Sequence, residues 1–441
     1  MRFQMNNNTI IRRDVYLNRL IVRKHNGLIK IITGIRRCGK SYLLNNLFYE
    51  YLINDGVKEN HIIKFAFDSA EDLMKIGENP ISLDNEFENR KVDPEKFLRW
   101  ILPQITDNDM YYILLDEVQN LGAFESVLNG FLRKSNMDVY VTGSNSKFLS
   151  KDIITEFSGR GDEIHVLPLS FSEYYSFKGG DKSEAFDDYS VYGGLPAIAL
   201  MLTDEQKSTY LVSQIGGLYL KDIIARHNLS DSALIGEVLD VIASGISSLT
   251  NPKKIADTFA SQRQEKISAY TVDKYIEHME DAFMLMRVKR YNIKGRKYIG
   301  TPYKIYFEDV GLRNARLNFR QLEGTHIMEN IIYNELRYRG YRVDVGCVES
   351  REKDKNGKEI RVQREIDFVA TLGSKKYYIQ SAYAIPDKQK YEQEAASFDK
   401  TADSFKKIIL VEKSIKPRRD EKGYVTMGVK EFLLDADSLD T

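Results

Sequence analysis

Residues 28–48 read Leu28-Ile29-Lys30-Ile31-Ile32-Thr33, then Gly34-Ile35-Arg36-Arg37-Cys38-Gly39-Lys40-Ser41, then Tyr42-Leu43-Leu44-Asn45-Asn46-Leu47-Phe48. The first six form a β-branched, apolar run of the kind that makes a buried strand. The last seven carry Leu43, Leu44, Leu47 and Phe48 at helical spacing. Between them lies G-x-x-x-x-G-K-S, and strand, glycine-rich loop and helix is the order in which such a loop cradles phosphates. The glycines let the backbone curl so that successive N–H groups face phosphate oxygens, and the helix start adds the positive end of its dipole. The expected phosphate contacts are the backbone of Gly34, Ile35, Arg36, Arg37, Cys38 and Gly39. Lys40 supplies a cation for the β/γ-phosphates, and the Ser41 hydroxyl one Mg²⁺ position. The Arg36 and Arg37 side chains reach phosphate or pack against the fold's own acids.

A phosphate loop needs acids on a neighbouring strand. Tyr111-Tyr112-Ile113-Leu114-Leu115 reads as a buried strand ending in Asp116-Glu117. An acid there reaches Mg²⁺, and the adjacent Glu117 is placed to accept a proton from an attacking water. A third strand, Asp138–Thr142, leads into Gly143-Ser144-Asn145-Ser146. Asn145 is the candidate for orienting the water or the γ-phosphate, though turn chemistry accounts for Gly-Ser-Asn equally well. Arg160, between Ser158-Gly159 and Gly161, is either an arginine finger in its own or a neighbour's site, or a surface residue.

The rest of the composition bounds the class. The chain has 441 residues, with 64 Lys+Arg against 64 Asp+Glu, so no whole-protein basic signature exists. Two cysteines, Cys38 and Cys347, are too few for a disulfide framework or a structural zinc site, and they point to a reducing cytoplasm. No stretch has the ~20 apolar residues a membrane helix needs, and Met1–Asn8 lacks the apolar core of a signal peptide. No membrane association is expected.

Together GIRRCGKS, YYILLDEVQN, VYVTGSNSKFLS and SGRGDEIHVLPLSFSEYY resemble the AAA-type ATPases of bacteria and archaea that carry a C-terminal domain of unknown function. The later stretches VYGGLPAIAL, LYLKDIIARHNL, YFEDVGLRNARL, HIMENIIYNEL and REIDFVA resemble that C-terminal domain, so the likeness runs from about Tyr16 to about Tyr391. It implies an α/β fold: a P-loop parallel sheet with a helical lid, then a winged helix and a nuclease-like α/β domain. It also implies ATP as the nucleotide. The expected boundaries are 1–165 for the ATPase core, 166–240 for the lid, 241–312 for the winged helix and 313–441 for the nuclease-like domain.

The residues of the C-terminal half support this partition independently. Asn251-Pro252 caps a short helix, and Ser268 starts a second with Val272, Tyr275, Ile276, Met279 and Phe283 at helical spacing. Leu285–Arg290 and Lys304–Phe307 read as the strands of a wing. Residues 251–304 hold twelve Lys/Arg and six Asp/Glu, a net of +6, which suits nucleic-acid phosphates, a protein face or plain solvation. Farther on, Glu329 on a helix and Asp367 on a strand stand where a PD-(D/E)xK nuclease holds its metal. Gln380-Ser381-Ala382 replaces the Glu-x-Lys of that pattern, so the nuclease site reads as degenerate: alanine stands in the lysine's place, and Lys375, Lys376 or Lys388 would have to migrate in to replace it.

The leading expectation is an Mg²⁺-dependent ATPase coupling hydrolysis to action on a nucleic-acid or protein partner, possible as an oligomer. The alternatives are a slow nucleotide switch acting as a DNA-binding regulator, and an ATP-regulated nuclease.

Overall fold

The computed structural model describes residues 10–78, 91–143, 159–227, 232–263, 266–353 and 359–440. Asn145 lies outside the described residues. The chain divides into two compact units, Met1–Leu167 with Asp281–Phe283, and Pro168–Glu280 with Met284–Thr441. The expected lid, winged helix and nuclease-like region fall in the second, apart from residues 166–167 of the lid and Asp281–Phe283 of the winged helix, which group with the first.

The first unit is built on a parallel sheet of β1 (Ile29–Thr33), β2 (Ile62–Ala66), β3 (Tyr111–Asp116), β4 (Met137–Thr142) and β5 (Gly161–His165). Their order across the sheet is β2-β3-β4-β1-β5. β1, β3 and β4 are buried along their whole length, as central parallel strands covered on both faces must be. That explains the continuous apolar runs in their sequences. Lys30 is the exception in β1, and its ammonium is paired with Asp138 on β4, whose carboxylate also accepts the Tyr140 hydroxyl at 3.0 Å. Because all five strands run the same way, Thr33, Asp116 and Thr142 emerge at the same edge. Ligands of open α/β sheets collect at this carboxyl edge.

The second unit opens with helices, the first capped by the Ser170–Glu173 pair. Ser170 Oγ accepts from the Glu173 amide at 3.2 Å and the Glu173 carboxylate accepts from the Ser170 amide at 3.0 Å, a reciprocal capping box. The segment expected as a lid is helical from Phe171–Lys178 to Leu220–His227. Three more helices, Ser232–Ser244, Pro252–Arg263 and Ala269–Asp281, lead to an eight-stranded mixed sheet. Its strands are β6 (Leu285–Asn292), β7 (Lys297–Phe307), β8 (Arg342–Lys353), β9 (Glu359–Leu372), β10 (Lys375–Ala382), β11 (Lys406–Val411), β12 (Arg418–Arg419) and β13 (Val425–Gly428). The order is β12-β13-β11-β10-β9-β8-β6-β7.

The two strands expected of a wing therefore do not stand apart. β6 pairs with β8 in parallel, Arg290 opposite Val345 and Asn292 opposite Cys347. The cause is apolar burial: Ile293, just past the strand, packs in one cluster with Val348, Ile366 and Tyr378 of the same sheet.

Two of the C-terminal stretches owe their composition to one internal lock. The buried Asp309 carboxylate accepts the amides of Gly194 at 2.7 Å and Leu312 at 3.0 Å. A Cβ on Gly193 would lie 2.3 Å from Asp309 Oδ1, and one on Gly311 would lie 2.0 Å from the Tyr192 carbonyl oxygen. The Gly-Gly of residues 193–194 and the Asp-Val-Gly of residues 309–311 are thus two halves of one close backbone approach. Burial pushes the Asp309 carboxyl up to about 6 despite its amide donors.

Candidate functional site

The phosphate loop is held open from below. Gly34 has φ 138°, and a Cβ there would sit 2.1 Å from the Val166 carbonyl oxygen, so only glycine fits where β1 turns into the loop. The buried Arg13 donates to the Cys38 carbonyl at 2.9 Å and to that of Leu167 at 2.7 Å, bolting the loop to the segment after β5. Gly39 is left-handed at φ 100°, and the helix starts at Lys40. Lys40 is 4% exposed, and its ammonium donates to the carbonyls of Gly34 at 2.9 Å and Ile35 at 3.1 Å. Those carbonyls hold it inside the loop that its own backbone encircles.

Across the carboxyl edge stands Asp116, last residue of β3. Its Oδ1 accepts from Ser41 Oγ at 3.1 Å and from the Thr142 hydroxyl; its Oδ2 accepts from Asn45 Nδ2 at 3.3 Å. Burial raises its carboxyl, and the Thr142 and Ser41 hydroxyls and the Lys40 charge pull the other way. Glu117 follows at φ 51°, a left-handed position rare for a glutamate, with its amide on Thr142 Oγ1 at 3.0 Å and its carboxylate accepting from Gln119 Nε2. A strained turn of this sort is an observation from which a functional role is inferred. Asp68, two residues past β2, joins the same acidic edge. Desolvation raises its carboxyl first, then the charges of Glu117 and Asp116, with Arg36 opposing.

Sequence reading found Lys40, Ser41, Asp116 and Glu117, and the structure brings the four together. It did not single out Thr142, whose hydroxyl serves both acids, nor Asn45 or Asp68. The signal for Thr142 was its place as the last residue of an otherwise apolar strand. Thr142→Val keeps the shape and removes the hydroxyl, leaving a buried carboxylate and an amide short of a partner. A loss of about 1–3 kcal/mol in folding stability of the first unit is expected, read by denaturant unfolding. A change within error would show that Thr142 merely fills space.

Mg²⁺ and a triphosphate are implied by this site, and the residues fit them. Ser41 and Asp116 offer two oxygens 3.1 Å apart on one side of the loop, the hard-oxygen set Mg²⁺ takes. Arg160 is placed elsewhere. It precedes β5, its backbone oxygen accepts from the Ile29 amide at 2.9 Å, and its guanidinium donates to Asn129 Oδ1 at 3.1 Å. Ile29 opens β1 while the phosphate loop follows the end of that strand, so Arg160 sits at the opposite edge of the sheet and the reading as a finger in its own site is corrected.

The second unit holds a different cluster. Glu329, on the helix Gly324–Tyr338, and Asp367, on β9, do face one another, as the spacing suggested. Between them sits an ammonium that the sequence reading missed. Lys304 of β7 lies 2.8 Å from Glu329 Oε1, 2.7 Å from Glu365 Oε1 and 3.0 Å from Asp367 Oδ1, and is 3% exposed. Tyr306 donates to Glu329 Oε1 at 2.6 Å, and the Ser381 amide to Asp367 Oδ2 at 2.9 Å. Gln380 lies beside Asp367, 3.4 Å from its amide, and donates toward Glu394 at 3.3 Å. Of the lysines considered for migration into this site, Lys375 pairs with Asp440, Lys376 lies over the Tyr291 and Phe405 rings, and Lys388 lies by Glu392. Burial pushes the Glu329 carboxyl up to about 7, against the pull of Lys304. No membrane-spanning helix occurs among the described residues.

The AAA domain family matches residues 26–175, and a domain of unknown function (DUF8612) matches residues 183–323. An uncharacterized protein of Haemophilus influenzae is 31% identical over 92% of this chain and 94% of its own length. An uncharacterized protein of Methanocaldococcus jannaschii is 25% identical over 97% of this chain and 89% of its own. Among solved structures, a Walker-type ATPase of Pyrococcus abyssi covers 72% of this chain and 99% of its own, at 14% identity and TM-score 0.49. The five-stranded parallel sheet with its helices is the P-loop NTPase fold.

Proposed function

The chain belongs to the family of AAA-domain proteins that includes the Haemophilus influenzae relative, and from that membership we propose that it is an Mg²⁺-dependent ATPase coupling hydrolysis to work on a nucleic-acid partner. The observation that carries this reading is the joining of Ser41, Asp116 and Thr142 by hydrogen bonds beside a loop wrapped around Lys40.

Each residue then has a task. The loop amides and Lys40 bind and orient the triphosphate. Ser41 and Asp116 hold Mg²⁺, whose chemistry when bound is to neutralise charge on the β- and γ-oxygens. Glu117 takes a proton from water, and Thr142 keeps both acids in place. Asn145 orients the γ-phosphate, and Arg160 acts on a neighbouring copy in an oligomer. ATP as the base-specific choice follows from the family.

The partner is read from the hairpin of β6 and β7. Of its basic residues, Arg287 is spent on Glu280 and Asp273, and Arg290 on the Pro302 carbonyl and Gln363. Lys289, Lys294, Arg296 and Lys297 are exposed, Lys294 donating to the Glu349 carbonyl at 3.2 Å, and Tyr298 beside them is 62% exposed with its hydroxyl on Asp344 at 3.2 Å. Two helices, Pro252–Arg263 and Ala269–Asp281, precede this hairpin, the element order of a winged helix. Cations next to an exposed aromatic suit a phosphate backbone with stacked bases. Four phosphate contacts would weaken duplex binding about a hundredfold between 50 and 200 mM salt. Replacing Lys289, Lys294, Arg296 and Lys297 with alanine should abolish most of that salt slope in a titration with labelled duplex DNA. A slope unchanged by the four substitutions would move the partner to a protein. Steady-state ATP turnover with and without the same duplex separates a coupled ATPase from a slow nucleotide switch: stimulation favours coupling, and a flat background rate favours the switch.

A further inference from the structure

The carboxylates of the second unit carry a conclusion of their own. Glu329 and Asp367 occupy the places from which a metal-dependent nuclease holds its ion. That ion needs carboxylate oxygens with free lone pairs converging on an open point. Here the point is filled. The Lys304 ammonium donates to Glu329 Oε1 at 2.8 Å and to Asp367 Oδ1 at 3.0 Å, and its nitrogen lies 2.7 Å from Glu365 Oε1 as an ion pair. Glu329 Oε1 takes a further proton from Tyr306, and the other oxygen of Asp367 is occupied by the Ser381 amide. Two of the usual contributions are missing as well, since Gln380 stands in place of a carboxylate and Ala382 in place of a lysine.

We infer that Lys304 is the resident cation of this nest, standing where a divalent metal ion would bind, so that the second unit is assembled around an internal ammonium and takes no metal there. A lysine from β7 in this position also does mechanical work. β7 is the edge strand of the sheet, separated from β9 by β6 and β8, yet Lys304 ties it to Glu365 and Asp367 of β9 and to Glu329 of the helix. The basic hairpin is thereby fixed to the sheet by the same contact that closes the carboxylate cluster. An ammonium on a four-carbon stem supplies one tethered charge at this point, where a divalent ion would bring two charges, water in its shell and no tether.

The test uses the full chain with Asp116→Asn, so that the phosphate-loop site takes up no metal, and Mn²⁺ as the probe. Bound Mn²⁺ is counted by the loss of its free electron-paramagnetic-resonance signal, with thermal unfolding followed in parallel. The protein with Lys304 intact is expected to bind no Mn²⁺ at the nest and to keep its melting temperature on addition of the ion. Lys304→Met, which keeps length and removes charge, should take up one Mn²⁺ at least tenfold more tightly, gain thermal stability from it, and lose both on further substitution Asp367→Asn. If Lys304→Met does not fold, Lys304→Met with Glu365→Gln relieves one negative charge and is judged by the same two readouts. If neither folds, the lysine-containing protein decides: absence of uptake upholds the inference. One Mn²⁺ bound with Lys304 present and lost in Asp367→Asn would overturn it, as would Mn²⁺-dependent cleavage of DNA abolished by Asp367→Ala. A folded Lys304 variant that takes up no ion would overturn it too, because the nest would then not be a cation site of any kind.

Discussion

Glu117→Gln is expected to bind ATP with Mg²⁺ as the wild type does and to turn it over at least ~100-fold more slowly, the usual scale for losing a positioned general base. The substitution keeps the side-chain shape and the hydrogen-bonding reach toward Gln119 while removing the carboxylate that follows Asp116 as a proton acceptor. Backbone geometry should survive, because the left-handed turn at φ 51° is held through the Glu117 amide on Thr142 rather than through its carboxylate. Steady-state phosphate release and equilibrium ATP binding, measured on the same preparation, check the two halves separately. Unchanged turnover would remove Glu117 from the chemistry and shift attention to Asp68, the next carboxylate along that edge. Weakened binding with unchanged turnover per bound ATP would make Glu117 a binding residue instead.

Lys40→Ala should bind nucleotide much more weakly. A charge-assisted hydrogen bond contributes about 1.5–3 kcal/mol, so the missing ammonium costs about 10- to 150-fold in dissociation constant. The folded state should tolerate the change. Lys40 is buried with the carbonyls of Gly34 and Ile35 as its hydrogen-bond acceptors, and an alanine at the first turn of a helix is locally favourable. Unfolding in denaturant separates the two effects: a variant that melts with the wild type and binds ATP poorly supports the role. One that melts much earlier would show Lys40 to be a structural strut of the loop.

Much of the first unit could be read from its residues because its function is written in local order. A buried strand, a loop needing glycine at 34 and 39, and a helix starting at Lys40 are contiguous, and each needs only its neighbours to be recognised. Asp116 and Glu117 were legible for the same reason, as polar residues ending a buried run. Thr142 and Arg13 were not, because their roles arise from contacts across the sheet, 26 residues from Asp116 for the first and 154 residues from Leu167 for the second. Of the readings left open for Arg160, the finger in its own site failed because it rested on proximity in sequence to the third strand, while its exposure agrees with the surface reading. The chain passes back to the other edge before β5 begins, and nothing local announces that return.

The second unit shows the limit more sharply. Glu329 and Asp367 were recognisable by type and spacing, and they do meet. The lysines nearest the pattern's own place, Lys375, Lys376 and Lys388, lie on the neighbouring strand and just beyond it. Lys304 comes from a strand 25 residues before Glu329 and 63 before Asp367, and it arrives only because β6 and β7 join the C-terminal sheet. Its one sequence signal was a lysine opening the run Lys304-Ile305-Tyr306-Phe307, where every other residue is apolar or aromatic. A charge in such a run must be paired once buried. The strands of the supposed wing were found, but their partner was not, since register with β8 depends on the burial of Ile293.

The most direct measurement is a calorimetric titration of the purified full-length chain with ATP in excess Mg²⁺, run beside Lys40→Ala. One ATP per chain in the wild type, with the signal lost in the variant, is the expected result. No uptake by the folded wild type, or equal uptake by both proteins, would contradict the phosphate-loop site.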